Sequence, residues 1–241
     1  MKITTIINYC TYNQKFINHC IDSLRNVSDK VIVTYTTHFY DGTPENYDLI
    51  NETKKLHTDV EFLEIKYDSM MSDEKWCKHT RIVAMTHVDV DTDYLFLADS
   101  DEILIVDRFL KFLTSDRFVY GKDYRLLSYW YFRDVKYQSK QHETSLYFLN
   151  FSTVKKTETK GLDRNSLVGS PTIVASYDSN PLAHHFSWVL TKENMIKKVS
   201  TWGHKNDRNW LQLVEKEFSR EFNGTDFVHG YQYNILESPP I

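Results

Sequence analysis

Through its first 115 residues the chain alternates two hydrophobic patterns. Short, β-branched apolar runs at 2–9, 30–35, 60–65 and 94–98 predict strands. Between them, apolar residues recur every three or four positions, which predicts helices over 13–24, 45–56, 75–87 and 106–113. Phe16, Ile17, Cys20, Ile21 and Leu24 give the first helix a single apolar face, and Pro44 stands near the start of the second. Strands alternating with helices through short links imply an α/β fold, a mostly parallel sheet flanked by helices. After residue 113 the pattern changes. Residues 124–137 form one long aromatic, strand-like stretch containing Tyr129-Trp130-Tyr131-Phe132, and 145–153 and 173–176 are further strands. Residues 157–171 read as a polar loop with some helix, 191–202 and 206–220 as a C-terminal helical extension, and 231–241 as irregular.

With 241 residues, 41% of them hydrophobic, the chain suits one domain with a full core, and no repeat or linker divides it. Aromatic residues reach 15%. Sixteen Tyr and five Trp exceed what a core needs, and such rings serve sugar clefts as flat, half-polar platforms. A net charge of −4 and a pI near 6.2 give no basic field for nucleic acid. Cys10, Cys20 and Cys77 show no metal-type spacing, and their odd number argues against a disulfide scaffold. The start is too quickly polar for a signal peptide, and no run approaches the ~20 apolar residues of a transmembrane segment, so a cytoplasmic setting is expected. Nothing in the sequence sets an oligomeric state.

Chemistry gathers at Leu95-Phe96-Leu97-Ala98-Asp99-Ser100-Asp101-Glu102, where a buried strand ends in three carboxylates around a serine. Open α/β sheets bind ligands at the carboxyl ends of their strands. In an extended segment residues i and i+2 point the same way, so Asp99 and Asp101 would face one site. Two hard oxygen ligands are what Mg2+ or Mn2+ bridging a diphosphate requires. Asp101 or Glu102 can alternatively cap a helix starting near Ile103. The rival acids Asp89, Asp91 and Asp93 precede the strand, at the opposite sheet edge, and read as a solvated turn. There is no G-x-G-x-x-G fingerprint, P-loop lysine motif or G-x-S-x-G elbow. A second constellation is Ala183-His184-His185-Phe186-Ser187-Trp188. Neutral imidazole is an acceptable third ligand for Mn2+, and adjacent side chains in an extended segment diverge, so only one of the pair is expected to reach a metal.

These two stretches resemble the GT-A glycosyltransferases, and most of all glycosyltransferase family 17, the β-1,4-N-acetylglucosaminyltransferase family. Asp99-Ser100-Asp101-Glu102-Ile103 matches its D-x-D-E-I signature. His185-Phe186-Ser187-Trp188 followed by Lys198-Val199-Ser200 is similar to its W-H-x-S-W and K-x-V-S segments, with His184 in place of the tryptophan. Asp207-Arg208-Asn209-Trp210 is similar to a downstream D-x-N-Y-like element. Asn13, Asp41-Gly42-Thr43 and Arg81 also sit where the broad family 2 pattern places equivalents, so the likeness spans roughly residues 3–210.

The resemblance implies a GT-A-type, Rossmann-like domain over 1–241, with a nucleotide-sugar-binding half at 1–115 and an acceptor-binding half at 116–241. It implies transfer of a sugar, with inversion, from a nucleotide-diphosphate donor such as a UDP-sugar to a glycan or glycoconjugate hydroxyl. The metal ligands would be Asp101, Asp99 and His185; Asp99 would also serve the ribose or a bound water. Arg81 would lie by the phosphates, and Asn8, Tyr9 and Asp41 by the base. Inversion needs a general base, for which Glu143 and Asp163 are the best placed acids, with Asp134 as a further one. Competing classes are a glycosyltransferase acting on a nucleic-acid base, which the acidic composition opposes, a non-catalytic sugar-binding protein, which the intact acids oppose, and a metal-dependent phosphohydrolase, for which no nucleophile motif exists.

Overall fold

The computed structural model describes residues 1–71, 73–154, 167–168 and 171–241, without the side chains at 73, 74 and 77. The central strand β1 (Ile3–Tyr9) is buried along its whole length, as a strand covered on both faces must be. It pairs in parallel with β2 (Lys30–Thr36) on one side and β4 (Tyr94–Asp99) on the other, and β3 (Glu61–Ile65) pairs in parallel with β2. The links are α1 (Gln14–Arg25), α2 (Tyr47–Leu56) and α3 (Asp73–Met85). Alternate strand residues feed opposite faces. Ile7, Val31, Val33 and Phe96 pack with Phe16, Ile17 and Leu24 of α1, while Ile6, Ile32, Leu95 and Leu97 pack with Ala84 and Met85 of α3. This half is the parallel, helix-flanked arrangement that the sequence predicts.

The second half continues the same sheet with mixed pairing. Past the short β5 (Glu102–Leu104) and α4 (Val106–Leu113) come β6 (Asp123–Phe132), β7 (Asp134–Asn150), β8 (Thr172–Ala175) and β9 (Ala183–Trp188). Helices α5 (Lys192–Thr201) and α6 (Trp210–Phe218) and strand β10 (Tyr233–Ile235) complete the described chain. The sheet order is β3-β2-β1-β4-β7-β6-β9-β5, with β10 on β7 and β8 on β6. One sheet therefore runs through both halves of the sequence. Trp130, Phe132 and Trp188 meet Met195, Val199, Trp210 and Val214, so α5 and α6 pack on it through an aromatic layer.

Several elements differ from the sequence pattern, each for a local reason. Residues 124–137 are not one strand but a hairpin, because Arg133 adopts a left-handed φ of 61° between Phe132 and Asp134. That turn is held from outside. The Arg133 N–H donates to the Trp188 carbonyl at 2.8 Å, and its guanidinium donates to Glu217 and to the Arg220 carbonyl. Asn46 caps α2 by accepting from the Asp48 and Leu49 N–H groups, which starts the helix after Glu45. Asn209 caps α6 in the same way through Gln212 N–H. Neither Asp101 nor Glu102 caps a helix: Ile105 precedes α4 without a side-chain cap, and Glu102 opens β5 instead. The tail is not wholly irregular, since Tyr233, Asn234 and Ile235 pair antiparallel with Ser139, Gln138 and Tyr137. Most of 157–171 lies outside the described residues. No helix among the described residues is long and apolar enough to cross a membrane.

Candidate functional site

β1 is the point where the strand order reverses, flanked by β2 and β4, and the crevice outside its carboxyl end is where such sheets place ligands. The acids arrive there on a turn. After β4, Ser100 and Asp101 turn the chain into β5, so the D-x-D stretch is not extended as its spacing suggested. Two backbone contacts fix the turn: Ser100 N–H donates to the Asn8 carbonyl at 3.1 Å, and Phe186 N–H donates to the Asp101 carbonyl at 2.9 Å. The Glu102 carboxylate, fully buried, accepts from Asp99 N–H at 2.9 Å. Glu102 thus has a derivable part: it closes the turn that aims the two aspartates.

The aspartates are held by different partners. Asp99 accepts from the Arg81 guanidinium at 2.5 Å, and its side chain is 34% exposed. Arg81 comes from α3 and is buried, so this ion pair ties helix to strand end. Asp101 is the shielded acid, 3% exposed. Its Oδ2 accepts from Asn13 Nδ2 at 2.9 Å and lies 3.9 Å from Lys198 Nζ. Antiparallel pairing of β5 with β9 sets Glu102 opposite His185. His185 Nε2 then lies 3.7 Å from Asp101 Oδ1 and 3.9 Å from Glu102 Oε1. His184 turns to the other face, where Nδ1 and the Tyr131 hydroxyl lie 2.8 Å apart. The two histidines diverge, as an extended segment requires.

Lys198 and Asn13 are the parts that sequence reasoning did not place in the site. Lys198 is 4% exposed on α5, and it donates to the Ser187 carbonyl at 2.5 Å and to the Ser187 hydroxyl at 2.7 Å. Burial pulls its pKa down, while the nearby Asp101 and Asp99 carboxylates oppose that pull. The Tyr12, Trp188 and Trp202 rings surround its ammonium at 5.7, 5.3 and 5.9 Å. The signal was present in the Lys198-Val199-Ser200 segment, but a lysine on a helix reads as solvated until its helix is packed. Asn13 ends a single 3-10 turn, Thr11–Asn13, that enters α1.

The other expected residues are distributed around this centre. Asn8, one residue from the end of β1, pairs with Asp99, and its Oδ1 accepts from Thr34 and Thr80 hydroxyls at 3.2 and 3.3 Å. Tyr9 is buried within the α1 side of the core, and its hydroxyl bonds to Gln14. Asp41 is exposed and caps its own turn, accepting from Thr43 N–H at 2.9 Å. Glu45, from the same loop, is buried under the Thr11 N–H and hydroxyl, and burial raises its pKa. Asp134 accepts from Lys136 N–H at the β6–β7 turn. Glu143 lies on β7 opposite Ser128 and accepts from the Tyr231 hydroxyl. Asp163 lies outside the described residues. The upstream acids Asp89 and Asp91 pair with Lys2 at 2.9 and 2.7 Å, at the far end of β4.

The centre has open acceptors for a cation but no closed ligand set among the described residues. Among the described residues, Asp101 Oδ1 and Asn13 Oδ1 are buried acceptors without a hydrogen-bond partner, which is the deficit a cation would fill. No three His, Cys, Asp or Glu side chains among the described residues form a finished metal cluster. The reason is visible: Asp99, the third acid, is turned to Arg81.

His184 gives this region a pH dependence. Burial, and secondarily the Arg108 charge, lower its pKa from the usual 6.5 to about 4. The unfolded chain therefore binds this proton first. Stability present at pH 7 is lost as pH falls from 6.5 toward about 4, by on the order of 3 kcal/mol. Urea midpoints at pH 7 and 4.5 should fall further for the wild type than for His184→Gln; equal falls would contradict this assignment.

No family model matches the chain, so the likeness to glycosyltransferase family 17 stays one of motifs. No curated protein matches it either. Among solved structures, the 4-diphosphocytidyl-2C-methyl-D-erythritol synthase of Anaerococcus prevotii is similar over 86% of this chain and 96% of its own, at 9% identity and a TM-score of 0.46. A mannosyltransferase from Pyrobaculum calidifontis, in complex with GDP-Man and Mn2+, is similar over 82% of this chain and 60% of its own, at 11% identity and a TM-score of 0.46. The inositol-1-phosphate CTP transferase of T. maritima is similar over 90% and 97%, at 10% identity and a TM-score of 0.42. Identities this low and TM-scores below 0.5 transfer neither residues nor activities. What stands for this chain is its own α/β architecture, with a shielded acid–lysine–histidine centre at the switch point of the sheet.

Proposed function

We propose that the chain is a metal-assisted glycosyltransferase that moves a sugar from a nucleoside-diphosphate donor to an acceptor hydroxyl. One observation carries this reading: Asp101, at the carboxyl end of the strand beside the switch point, has one oxygen tied by Asn13 and Lys198 and the other unpartnered 3.7 Å from His185. In the reaction the acceptor oxygen bonds to the anomeric carbon, the bond from that carbon to the diphosphate breaks, and the acceptor proton passes to a base. Asp101, His185 and the Asn13 carbonyl oxygen would hold a divalent ion, Mn2+ or Mg2+. That ion would neutralise and polarise the departing diphosphate. Arg81 holds Asp99 through their ion pair, and the exposed part of that carboxylate would receive a ribose hydroxyl or water. Lys198 supplies fixed positive charge behind Asp101 in a setting where charge stabilisation is worth more than in water. Glu143 shares a sheet face with His185, since Ser128 pairs with Glu143 and Trp130 with His185, but two strand spacings separate them, which suits contact with the acceptor rather than deprotonation at the reacting carbon.

The test is a panel of UDP-, GDP-, ADP- and CDP-sugars, followed by thermal shift and slow hydrolysis with Mn2+, Mg2+ or EDTA. The expected result is binding of at least one donor and metal-dependent release of free sugar. No donor bound under any condition overturns the reading. Release of pyrophosphate from a nucleoside triphosphate and a sugar phosphate would make the chain a nucleotidyltransferase instead.

A further inference from the structure

A line of rings leaves the acid–histidine centre along one face of the second half of the sheet. His185 meets Trp130 edge-on at 4.9 Å, Trp130 meets His229 at 5.0 Å, and His229 stacks on Tyr231 at 4.9 Å with 29° between planes. Tyr231 ends the line with its hydroxyl on the Glu143 carboxylate. The first two residues belong to β9 and β6, whereas His229 and Tyr231 belong to the loop before β10. Trp130 is buried, His185, Tyr231 and Glu143 are half-buried, and His229 is exposed. The line thus begins at the shielded centre and opens to solvent at His229 and Tyr231.

The loop that carries the outer rings is built around one buried carboxylate. Asp226 is 4% exposed. Its Oδ1 accepts from Val228, His229 and Gly230 N–H at 2.7, 2.6 and 3.2 Å, and its Oδ2 accepts from Tyr231 N–H at 3.2 Å and the Tyr233 hydroxyl at 2.8 Å. A carboxylate that satisfies four consecutive backbone donors fixes the loop before any ligand arrives. Gly230, at φ 75°, takes a left-handed position among these donors. The backbone is fixed by this lock and the rings by their mutual stacking and the Tyr231–Glu143 bond, which is the preorganisation a recognition surface needs.

We propose that His229, Tyr231 and Glu143 form a subsite for a neutral pyranoside, the part of the acceptor that lies beyond the reacting sugar. The proposal rests on the transferase reading for its place in the reaction, but not for its chemistry. A pyranose has an apolar C–H face that stacks on rings and hydroxyls around its rim that donate to a carboxylate. The outer face of the His229–Tyr231 pair supplies the first and Glu143 the second. Glu143 stands two strand spacings and one residue pair from His185, about 12 Å between backbones. That is the span of a disaccharide rather than a single ring. The charged group that closes the line is a carboxylate, which favours a neutral sugar over a uronic or phosphorylated one.

Saturation-transfer NMR on the full chain with methyl β-glucoside, methyl β-galactoside, methyl β-N-acetylglucosaminide and methyl β-glucuronide tests this directly. At least one neutral glycoside should receive saturation on the protons of one ring face, with a millimolar dissociation constant, and the glucuronide should not. His229→Ala combined with Tyr231→Ala should weaken that binding at least tenfold, and Tyr231→Phe about threefold, with circular dichroism spectra like that of the wild type. No neutral glycoside bound, or binding unmoved by the double variant, overturns the subsite. Donor binding is measured separately on the same wild-type protein. Glycoside binding without any nucleotide-sugar binding therefore leaves the subsite standing and removes the transferase reading, and the reverse outcome does the opposite.

Discussion

Asp101→Asn should lower metal-dependent turnover of a nucleotide-sugar donor by about 1,000-fold or more, the equivalent of about 4 kcal/mol in the barrier. The substitution keeps the shape of the side chain, so Asn13 retains a partner. It removes the charge that would hold the ion and turns the unpartnered Oδ1 position, 3.7 Å from His185, into a possible amide donor. It also leaves Lys198 without the counter-charge 3.9 Å away. Asp99→Asn should cost much less, because Asp99 is partly exposed and its contact is with Arg81. Hydrolysis assays on both variants, with circular dichroism to verify folding, separate the two roles. Equal rates for wild type and Asp101→Asn would remove Asp101 from the mechanism.

Lys198→Met should pull stability and metal affinity in opposite directions. At 3.9 Å the Asp101–Lys198 attraction is on the order of 4 kcal/mol at an effective dielectric near 20. Methionine fills most of the volume among Tyr12, Trp188 and Trp202 but leaves Asp101 as a buried, uncompensated charge. Breaking a buried pair in this way costs about 3–5 kcal/mol, or about 10 °C in melting temperature for a chain this long. In EDTA the variant should melt that much earlier than wild type. The lost ammonium also no longer repels a divalent ion, so Mn2+ should bind several-fold more tightly and recover much of the lost melting temperature. Thermal melts across a Mn2+ titration read both effects. A variant that melts like wild type in EDTA would mean that Lys198 does not compensate Asp101.

The legible parts of this protein are those in which local sequence dictates structure. Strands 30–35 and 94–98 are β-branched or apolar at every position after Lys30 and bounded by turns, and α1 shows its face in Phe16, Ile17, Cys20, Ile21 and Leu24. The acids were visible because they follow such a strand, and His185 because it belongs to a histidine pair in an aromatic segment. Lys198, Asn13 and Glu45 were not, because their burial is created by packing between segments far apart in the chain. The hairpin at Arg133 was hidden for a different reason. Its turn carries no Gly or Asn, and the left-handed conformation is imposed by Trp188, Glu217 and Arg220 from elsewhere. β5 was hidden by length: Glu102, Ile103 and Leu104 are too few to show a period.

The pairing of Tyr233–Ile235 with Tyr137–Ser139 also bears on how this chain behaves among its own copies. An uncovered strand offers its backbone donors and acceptors to any other strand, and the neighbouring residues here are aromatic. β10 pairs with that stretch of β7, so backbone groups that β7 would otherwise offer to another copy are used within one chain, by the strand that follows the ring-bearing loop.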